Sequence, residues 1–493
     1  MKIITNLLIL LLSISICQFG NAQTPDKPYH EPYRPQVHFS PKEHWTNDPN
    51  GMVFYKGTYH LFFQYYPNAT VWGPMHWGHA VSKDLMHWKE LPIALYPDSL
   101  GYIFSGSAVV DSNNTSGFGK NGKTPLVAIF THHGPKGEKA GKNDFQNQSL
   151  AYSVDNGETW KKYAGNPVLK NPGIRDFRDP KVMWYAKEKK WIMTLATKDD
   201  ITFYSSPDLK NWKKESEFGK ELGAHGGVWE CPDLFPLTFE NKTHWVLIVN
   251  LNPGGPNGGS ATQYFIGQFD GNKFVPADTK TRWLDYGPDE YAGITWSNTG
   301  NRRIFLGWMS NWQYANQVPT VKWRNAMTIP RELTLFKSND EFYLKSMPVK
   351  EIQSLQQKNL KNGVSKLPKA LPGQYMMKLN TARLADCSIT LSNSNGEKLI
   401  IGYDKGKNQY FIDRTKSGKA DFSDKFSGIA YAPRFSKATN SEITLLVDRS
   451  SVELFADGGK TVMTSIFFPS KPYQQLNLKS IKVTQLVPLY GIW

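Results

Sequence analysis

Three short acidic clusters hold the side chains of this sequence best suited to chemistry. They are Trp45-Thr46-Asn47-Asp48-Pro49-Asn50-Gly51, Phe177-Arg178-Asp179-Pro180 and Trp229-Glu230-Cys231-Pro232-Asp233. Each stands at the start of an apolar, aromatic run that reads as a strand. Asp48 sits on a loop braced by Pro and Gly that can hold a carboxylate still; the same residues also make an ordinary turn cap. Arg178 and Asp179 point to opposite sides of an extended chain, so each needs its own partner; a structural ion pair would meet that need equally well. Glu230 stands between Trp229 and Cys231, after Gly226-Gly227, where the backbone can approach a ligand closely. Apolar company raises a carboxylic acid's pKa and suits a proton donor, although a plain blade-edge position fits Glu230 too. An ionised carboxylate paired with a protonated one is the requirement for acid-assisted displacement at an acetal carbon.

The elements that must position these acids are short strands. Met52-Val53-Phe54-Tyr55 meets a Lys56-Gly57 turn, and Tyr59-His60-Leu61-Phe62-Phe63 returns, which predicts a β-hairpin. The stretch 181–195 repeats the layout. A weak internal repeat joins Ser82-Lys83-Asp84, Ser153-Val154-Asp155 and Ser206-Pro207-Asp208, each a few residues before Trp88, Trp160 or Trp212. An Asp that bonds turn amides and a Trp that packs between neighbouring units describe hairpin tips of propeller blades. Residues 36–345, about 310 in all, make roughly five such units. The texture changes near Ser346: a short helical segment and a Pro- and Lys-bearing linker fill 346–373, with Val349, Ile352 and Leu355 at helix spacing. From 374 to 493 alternating strands resume as in a β-sandwich. The expectation is an all-β chain, a five-bladed propeller followed by a sandwich. Three carboxylates on equivalent inner strands of different blades would then converge at one end of the propeller axis.

Composition sets the boundaries. The chain has 493 residues, enough for two domains. Lys and Arg number 58 against 43 Asp and Glu, a formal charge of +15, but the basic residues are scattered, which describes a solvated surface and not a nucleic-acid site. Aromatics at 13%, with 16 Trp, suit sugar faces and large cores alike. Residues 1–22 read as a signal peptide: Lys2, an apolar run from Leu7 to Ile16, and Ala22 before Gln23. The apolar run is too short to span a bilayer comfortably, so the chain is expected to be exported, periplasmic or secreted, with lipid anchoring through Cys17 as the lesser alternative. Cys231 and Cys387 lie far apart, without metal-ligand spacing and without a disulfide framework.

The three clusters resemble the acidic motifs of glycoside hydrolase family 32, which includes invertases, inulinases and levanases. Further stretches are similar: Phe62-Phe63-Gln64-Tyr65-Tyr66-Pro67, Trp72 with Trp77-Gly78-His79-Ala80, Phe104-Ser105-Gly106-Ser107-Ala108, Asp289-Glu290-Tyr291-Ala292, Gly307-Trp308-Met309-Ser310-Asn311-Trp312, Arg331-Glu332-Leu333 and Asp448-Arg449-Ser450-Ser451-Val452-Glu453. The resemblance covers nearly all of the chain after residue 22. It implies a retaining hydrolase that frees terminal fructose from β-fructans, levan or inulin, and from sucrose, without a metal or other cofactor. In that reading Asp48 is the nucleophile, Glu230 the acid and base, and Asp179 the transition-state stabiliser. Arg178 orients the acids or the sugar. Asn47, Gln64, Trp72, Phe104 and Ser105 line the fructose subsite, and Trp296 and Trp312 are its apolar walls, core packing being the alternative for both. The Trp308–Ala315 run is closer to levanases and exo-inulinases than to plain invertases. Fructosyl transfer, a fructan-binding protein without activity, and a sialidase-like propeller enzyme are the competing readings. The oligomeric state, the linkage preference and the part played by the sandwich are open at this level.

Overall fold

The structure is a computed structural model that describes residues 28–358, 363–368 and 371–493. The expected signal peptide lies outside them. Five antiparallel sheets of four main strands follow one another along the first part of the chain. Their innermost strands are His44–Tyr55, Tyr102–Val110, Phe177–Tyr185, Val228–Phe239 and Tyr291–Thr295. Each sheet is a propeller blade that runs outward through successive hairpins. The first hairpin is the one read from the sequence: Tyr55 pairs with Thr58, and Lys56 and Gly57 carry φ of 46° and 75°. Positive φ at both central residues is the twist-matched two-residue turn. Late in the chain, Trp323–Arg324 pairs in parallel with His44 and Trp45 on the inner strand of the first blade, and Ser297 bridges to Val53. These contacts close the ring from last blade to first.

The repeated Ser-x-Asp turns are hairpin braces, as expected. Asp84 Oδ1 accepts from the amides of Met86 and His87, and Asp208 Oδ1 from those of Lys210 and Asn211. Trp160, from the second blade, packs edge-on to Phe62 of the first at 5.2 Å. Large apolar side chains between neighbouring blades hold the ring by burial, each worth about 1.5–3 kcal/mol.

Beyond the last blade, Lys350–Leu355 forms a 3-10 helix with Ile352 and Leu355 buried. The helix-compatible spacing thus gives two tight 3-10 turns and not an α-helix; Gln356, at its end, is already extended. Two five-stranded antiparallel sheets follow, one ordered Thr461–Ile466, Ser451–Ala456, Glu442–Asp448, Tyr375–Asn380, Lys482–Pro488, the other Ile429–Pro433, Gln409–Lys416, Lys398–Asp404, Cys387–Ser392, Gln475–Lys479. Their inner faces share one apolar core that includes Ile389, Ile401, Leu445 and Leu454.

The sandwich also braces the fifth blade through buried charge. Arg331 bonds Asp285 at 2.8 Å and reaches Glu453, and His38 bridges Asp448 and Glu453 at 2.8 Å each. Arg414 and the amide of Ile466 bond Asp289 Oδ2, at 2.6 and 2.9 Å. Gly287 lies so close to Thr464 that a Cβ there would meet its backbone at 2.0 Å. These contacts fix the segment just before Tyr291, and Tyr291 belongs to the site described next.

Candidate active site

All five inner strands carry a β-bulge at the same level. Asn47 and Asp48 stand opposite Gln64, Phe104 and Ser105 opposite Thr131, and Asp179 and Pro180 opposite Leu195. Cys231 and Pro232 stand opposite Val249, and Ala292 and Gly293 opposite Gly307. A bulge bends its strand and re-aims the side chains it carries. Asp179, Cys231 and Ala292 take φ of 66°, 42° and 54°, rare for residues with a Cβ. Pro49, Pro180 and Pro232 fall in or beside their bulges, where the missing N–H leaves no ladder bond unmade. The recurrent acid-near-proline motif therefore has a backbone cause. Gly51 serves the same end: its φ is 53°, and a Cβ would come within 2.6 Å of Phe62.

The bulges bring side chains from these inner strands together at one site. Asp48 Oδ1 accepts from Asn47 Nδ2 at 2.9 Å, and Oδ2 accepts from Ser105 Oγ at 2.5 Å. Cys231 Sγ lies 3.4 Å from Asp48 Oδ2 and 3.6 Å from Asp179 Oδ2, so the thiol joins two of the acids. The Cys231 amide also donates to Asp179 Oδ2, at 3.0 Å. Glu230 Oε1 accepts from Arg178 Nε and Nη2 at 3.1 and 3.0 Å, and Oε2 accepts from the Tyr291 hydroxyl. Arg178 Nη1 bonds Asp176 at 2.5 Å, which fixes the guanidinium. Arg178 thus faces three carboxyls, those of Asp176, Glu230 and, at 4.0 Å, Asp179.

Charge crowding follows from this geometry. Burial is the largest influence on Asp48 and raises its pKa; Glu230 adds to it, while Ser105, Asn47 and Cys231 pull it down. Burial, with help from Glu230 and Asp48 and against the pull of Arg178, pushes Asp179 up to about 7. Burial and the surrounding carboxylates also raise the Cys231 thiol and the Tyr291 phenol well above their ordinary values, so both stay protonated as donors. Asp48 and Asp179 each raise the other's cost of ionising, so the crowded site favours the protonated form of Asp179. An acid and a base in one pocket is the result.

A cavity of about 320 Å³ opens over these groups. Ten of the eleven residues expected in the site line it: Asn47, Asp48, Gln64, Trp72, Phe104, Ser105, Arg178, Asp179, Glu230 and Trp312. Trp72 is 40% exposed at the rim, with its amide held by Asn316 Oδ1. Trp312 stacks on Trp45 at 5.8 Å. Trp296 is the correction. It is 2% exposed, stacks on Trp88 and donates from Nε1 to the His60 carbonyl at 3.0 Å. Its strand starts at Tyr291 and runs away from the cavity; five residues of rise at about 3.3 Å each separate the two. Trp296 lines a different hollow, with Lys181 and Asp233.

Several site residues had no assigned role in the sequence reading. Cys231 and Tyr291 lay inside motifs already singled out, and their contacts depend on the bulges. His133, Glu138, Phe145, Gln146, Arg175, Asp176, Val228 and Asn252 also line the cavity. Most come from loops or from strand ends where no acidic motif draws attention.

Comparison with known proteins agrees with this arrangement. The profile described as Glycosyl hydrolases family 32 N-terminal domain matches residues 38–346, and that described as Glycosyl hydrolases family 32 C terminal matches 346–489. A levanase of Bacillus subtilis is 45% identical over 98% of this chain and 74% of its own length. An extracellular exo-inulinase of Aspergillus niger is 41% identical over 94% of each chain. The crystal structure of an exo-inulinase from Aspergillus awamori superposes with a TM-score of 0.86 at 38% identity, covering 94% of this chain and all of that one. A β-fructofuranosidase from Schwanniomyces occidentalis, complexed with fructosyl-erythritol, gives 0.84 at 33%, covering 95% and 99%. Five bulged blades with their acids at one mouth, a sandwich buttress and matches along nearly the whole length lead to one assignment: the chain belongs to glycoside hydrolase family 32.

Proposed function

We propose that this protein is a retaining β-fructosidase that releases terminal fructose from levan- and inulin-type fructans and from sucrose. The observation that carries the reading is the single cavity in which Asp48 and Glu230 face the same space, joined through Cys231, Asp179 and Arg178. The relatives named levanase and exo-inulinase support the substrate class.

The chemistry then runs in two displacements. An Asp48 carboxylate oxygen attacks the anomeric carbon of the terminal fructosyl unit. The bond to the leaving oxygen breaks, and that oxygen takes its electron pair and the proton of Glu230. The sugar is left as an ester on Asp48. Water then gives a proton to Glu230, bonds to the anomeric carbon, and Asp48 departs, which restores both acids. Asp179 holds ring hydroxyls and steadies the positive charge that develops at the anomeric carbon. Arg178 holds the Glu230 carboxyl in place through both transfers. Asn47, Gln64, Trp72, Phe104 and Ser105 shape the fructose subsite, with Trp312 as its apolar wall.

We assign residues 1–22 to export, consistent with a relative named as extracellular. Mass analysis of the mature protein decides the form: a free N-terminus at Gln23 supports cleavage by a signal peptidase, and a lipidated Cys17 contradicts it. The enzymatic reading is tested with Asp48→Asn and Glu230→Gln. Each should nearly abolish fructose release from levan, inulin and sucrose. In kcat/KM for nitrophenol release from a nitrophenyl fructoside, which reports the first displacement alone, Glu230→Gln should lose far less. Equal losses on both substrates would remove the acid role from Glu230. Products at high sucrose separate hydrolysis, which gives free fructose, from transfer, which gives longer oligosaccharides.

A further inference from the structure

The cavity has a second wall that the fructosidase reading leaves unused. Glu138 and Arg175 line it together with Asp48 and Glu230, yet neither lies on an inner strand. Glu138 belongs to the 134–145 loop between two strands of the second blade, and Arg175 to the segment before Phe177. The loop is well fixed. Its ends are tied by the Gly134 amide and the Phe145 carbonyl at 2.7 Å, and a helical turn, Pro135–Lys139, lies within it. His133 anchors Glu138 to the wall of the pocket. Gln146 Nε2 donates to His133 Nδ1 at 3.2 Å, so Nε2 carries the ring proton and donates to Glu138 Oε2 at 2.9 Å. The same imidazole stacks on Phe104 at 4.1 Å between centroids.

Both groups keep hydrogen-bonding capacity. Glu138 makes no other side-chain hydrogen bond among the described residues, and its side chain is 44% exposed. Arg175 pairs with no carboxylate among the described residues; its guanidinium stands over the Phe145 ring at 5.5 Å. An unpaired fork of five donors and a half-exposed carboxylate in one cavity suit a neutral polyhydroxyl ring, which needs donors and acceptors together. Their side of the pocket is set by Glu230. The leaving oxygen must come within about 2.6–3.2 Å of the proton donor. Glu230 is held by Arg178, Arg178 by Asp176, and Asp176 is the chain neighbour of Arg175.

We propose that Glu138 and Arg175 are specificity-determining residues that bind the hydroxyls of the leaving sugar. The inference rests on the fructosidase reading. Steady-state kinetics of Glu138→Gln, Arg175→Ala and Arg175→Lys test it on two substrates, a β-2,1-linked fructosyl trisaccharide and a nitrophenyl β-fructofuranoside. Loss of a charge-assisted bond predicts a fall in kcat/KM on the trisaccharide of about tenfold for Arg175→Ala and several-fold for Glu138→Gln, mainly through KM. Arg175→Lys should fall between Arg175→Ala and the wild type. On the nitrophenyl fructoside the losses should stay within about twofold, because no leaving-sugar hydroxyl is there to be held. Equal falls on both substrates would assign the two residues to structure, and no fall on either would remove them from binding. A wild-type protein inert toward both substrates would overturn the fructosidase reading itself.

Discussion

Removing the Ser105 hydroxyl tests how a buried Asp48 is kept ionised. Ser105 Oγ donates to Asp48 Oδ2 at 2.5 Å, across from the second blade to the first. That bond favours the charged carboxylate, against burial and the repulsion of Glu230. A hydrogen bond to a charged group is worth about 1.5–3 kcal/mol, and 1.36 kcal/mol is one pKa unit, so complete loss would raise Asp48 by about one to two units. Asn47 Nδ2 and the Cys231 thiol remain on the same carboxylate, and water can enter the vacated space. The expected rise in Ser105→Ala is therefore about one unit. The sign is definite. Asp48 must be ionised to attack, so a raised pKa moves the acid limb of the pH profile to higher pH. Well below that limb kcat/KM falls about tenfold, and on the plateau it changes less. The assay is kcat/KM against pH on the nitrophenyl fructoside, which reports ionisations of the free enzyme. Circular dichroism checks the fold. An acid limb that stays in place, or moves to lower pH, refutes the argument.

Three further outcomes follow from the buried contacts. Arg331→Met should destabilise the protein by about 3–5 kcal/mol, because Asp285 is left buried without its cation and Glu453 keeps only His38; urea unfolding with a loss under about 1 kcal/mol would contradict the buttress. Burial alone would lower the pKa of His38, but its bonds to Asp448 and Glu453 win and raise it to about 9. A raised folded-state value gives stability that is complete below about pH 6.5 and lost as pH climbs through about 9, roughly 3 kcal/mol in all; a His38→Gln variant should lack this alkaline decline, and an unchanged decline would assign it elsewhere. Trp296→Ala should destabilise by about 3–5 kcal/mol with KM for a trisaccharide unchanged in the folded fraction, whereas Trp312→Ala should raise that KM. A raised KM in Trp296→Ala would return that residue to the site.

Much of this was legible in the sequence, for particular reasons. Asp48, Asp179 and Glu230 stand out because proline beside an acid is uncommon in a strand, and the bulges explain why it is tolerated there. The hairpins were legible because Lys56-Gly57 and the Ser-x-Asp turns act locally. Trp296 and Trp312 could not be told apart, since an aromatic residue near a strand end reads the same whether the strand approaches the channel mouth or leaves it. Cys231 and Tyr291 escaped notice as functional groups because their roles arise from partners on other blades, reached only after each bulge turns its strand. The His133–Glu138 wall was hidden for a different reason. It is built by a loop whose composition is that of an ordinary Gly- and Lys-rich connection, and only its closure over Phe145 places it against the cavity.

Trapping the covalent intermediate tests the roles of Asp48 and Glu230 most directly. In Glu230→Gln, a nitrophenyl fructoside needs no acid to leave, but water then lacks its base, so the fructosyl ester should accumulate after a burst of nitrophenol. Peptide mass spectrometry of the acid-quenched protein should find one anhydrofructose on the peptide bearing Asp48, and azide should release it as fructosyl azide. A burst with the sugar on any other residue, or turnover of this substrate with no burst and no adduct, would contradict the account.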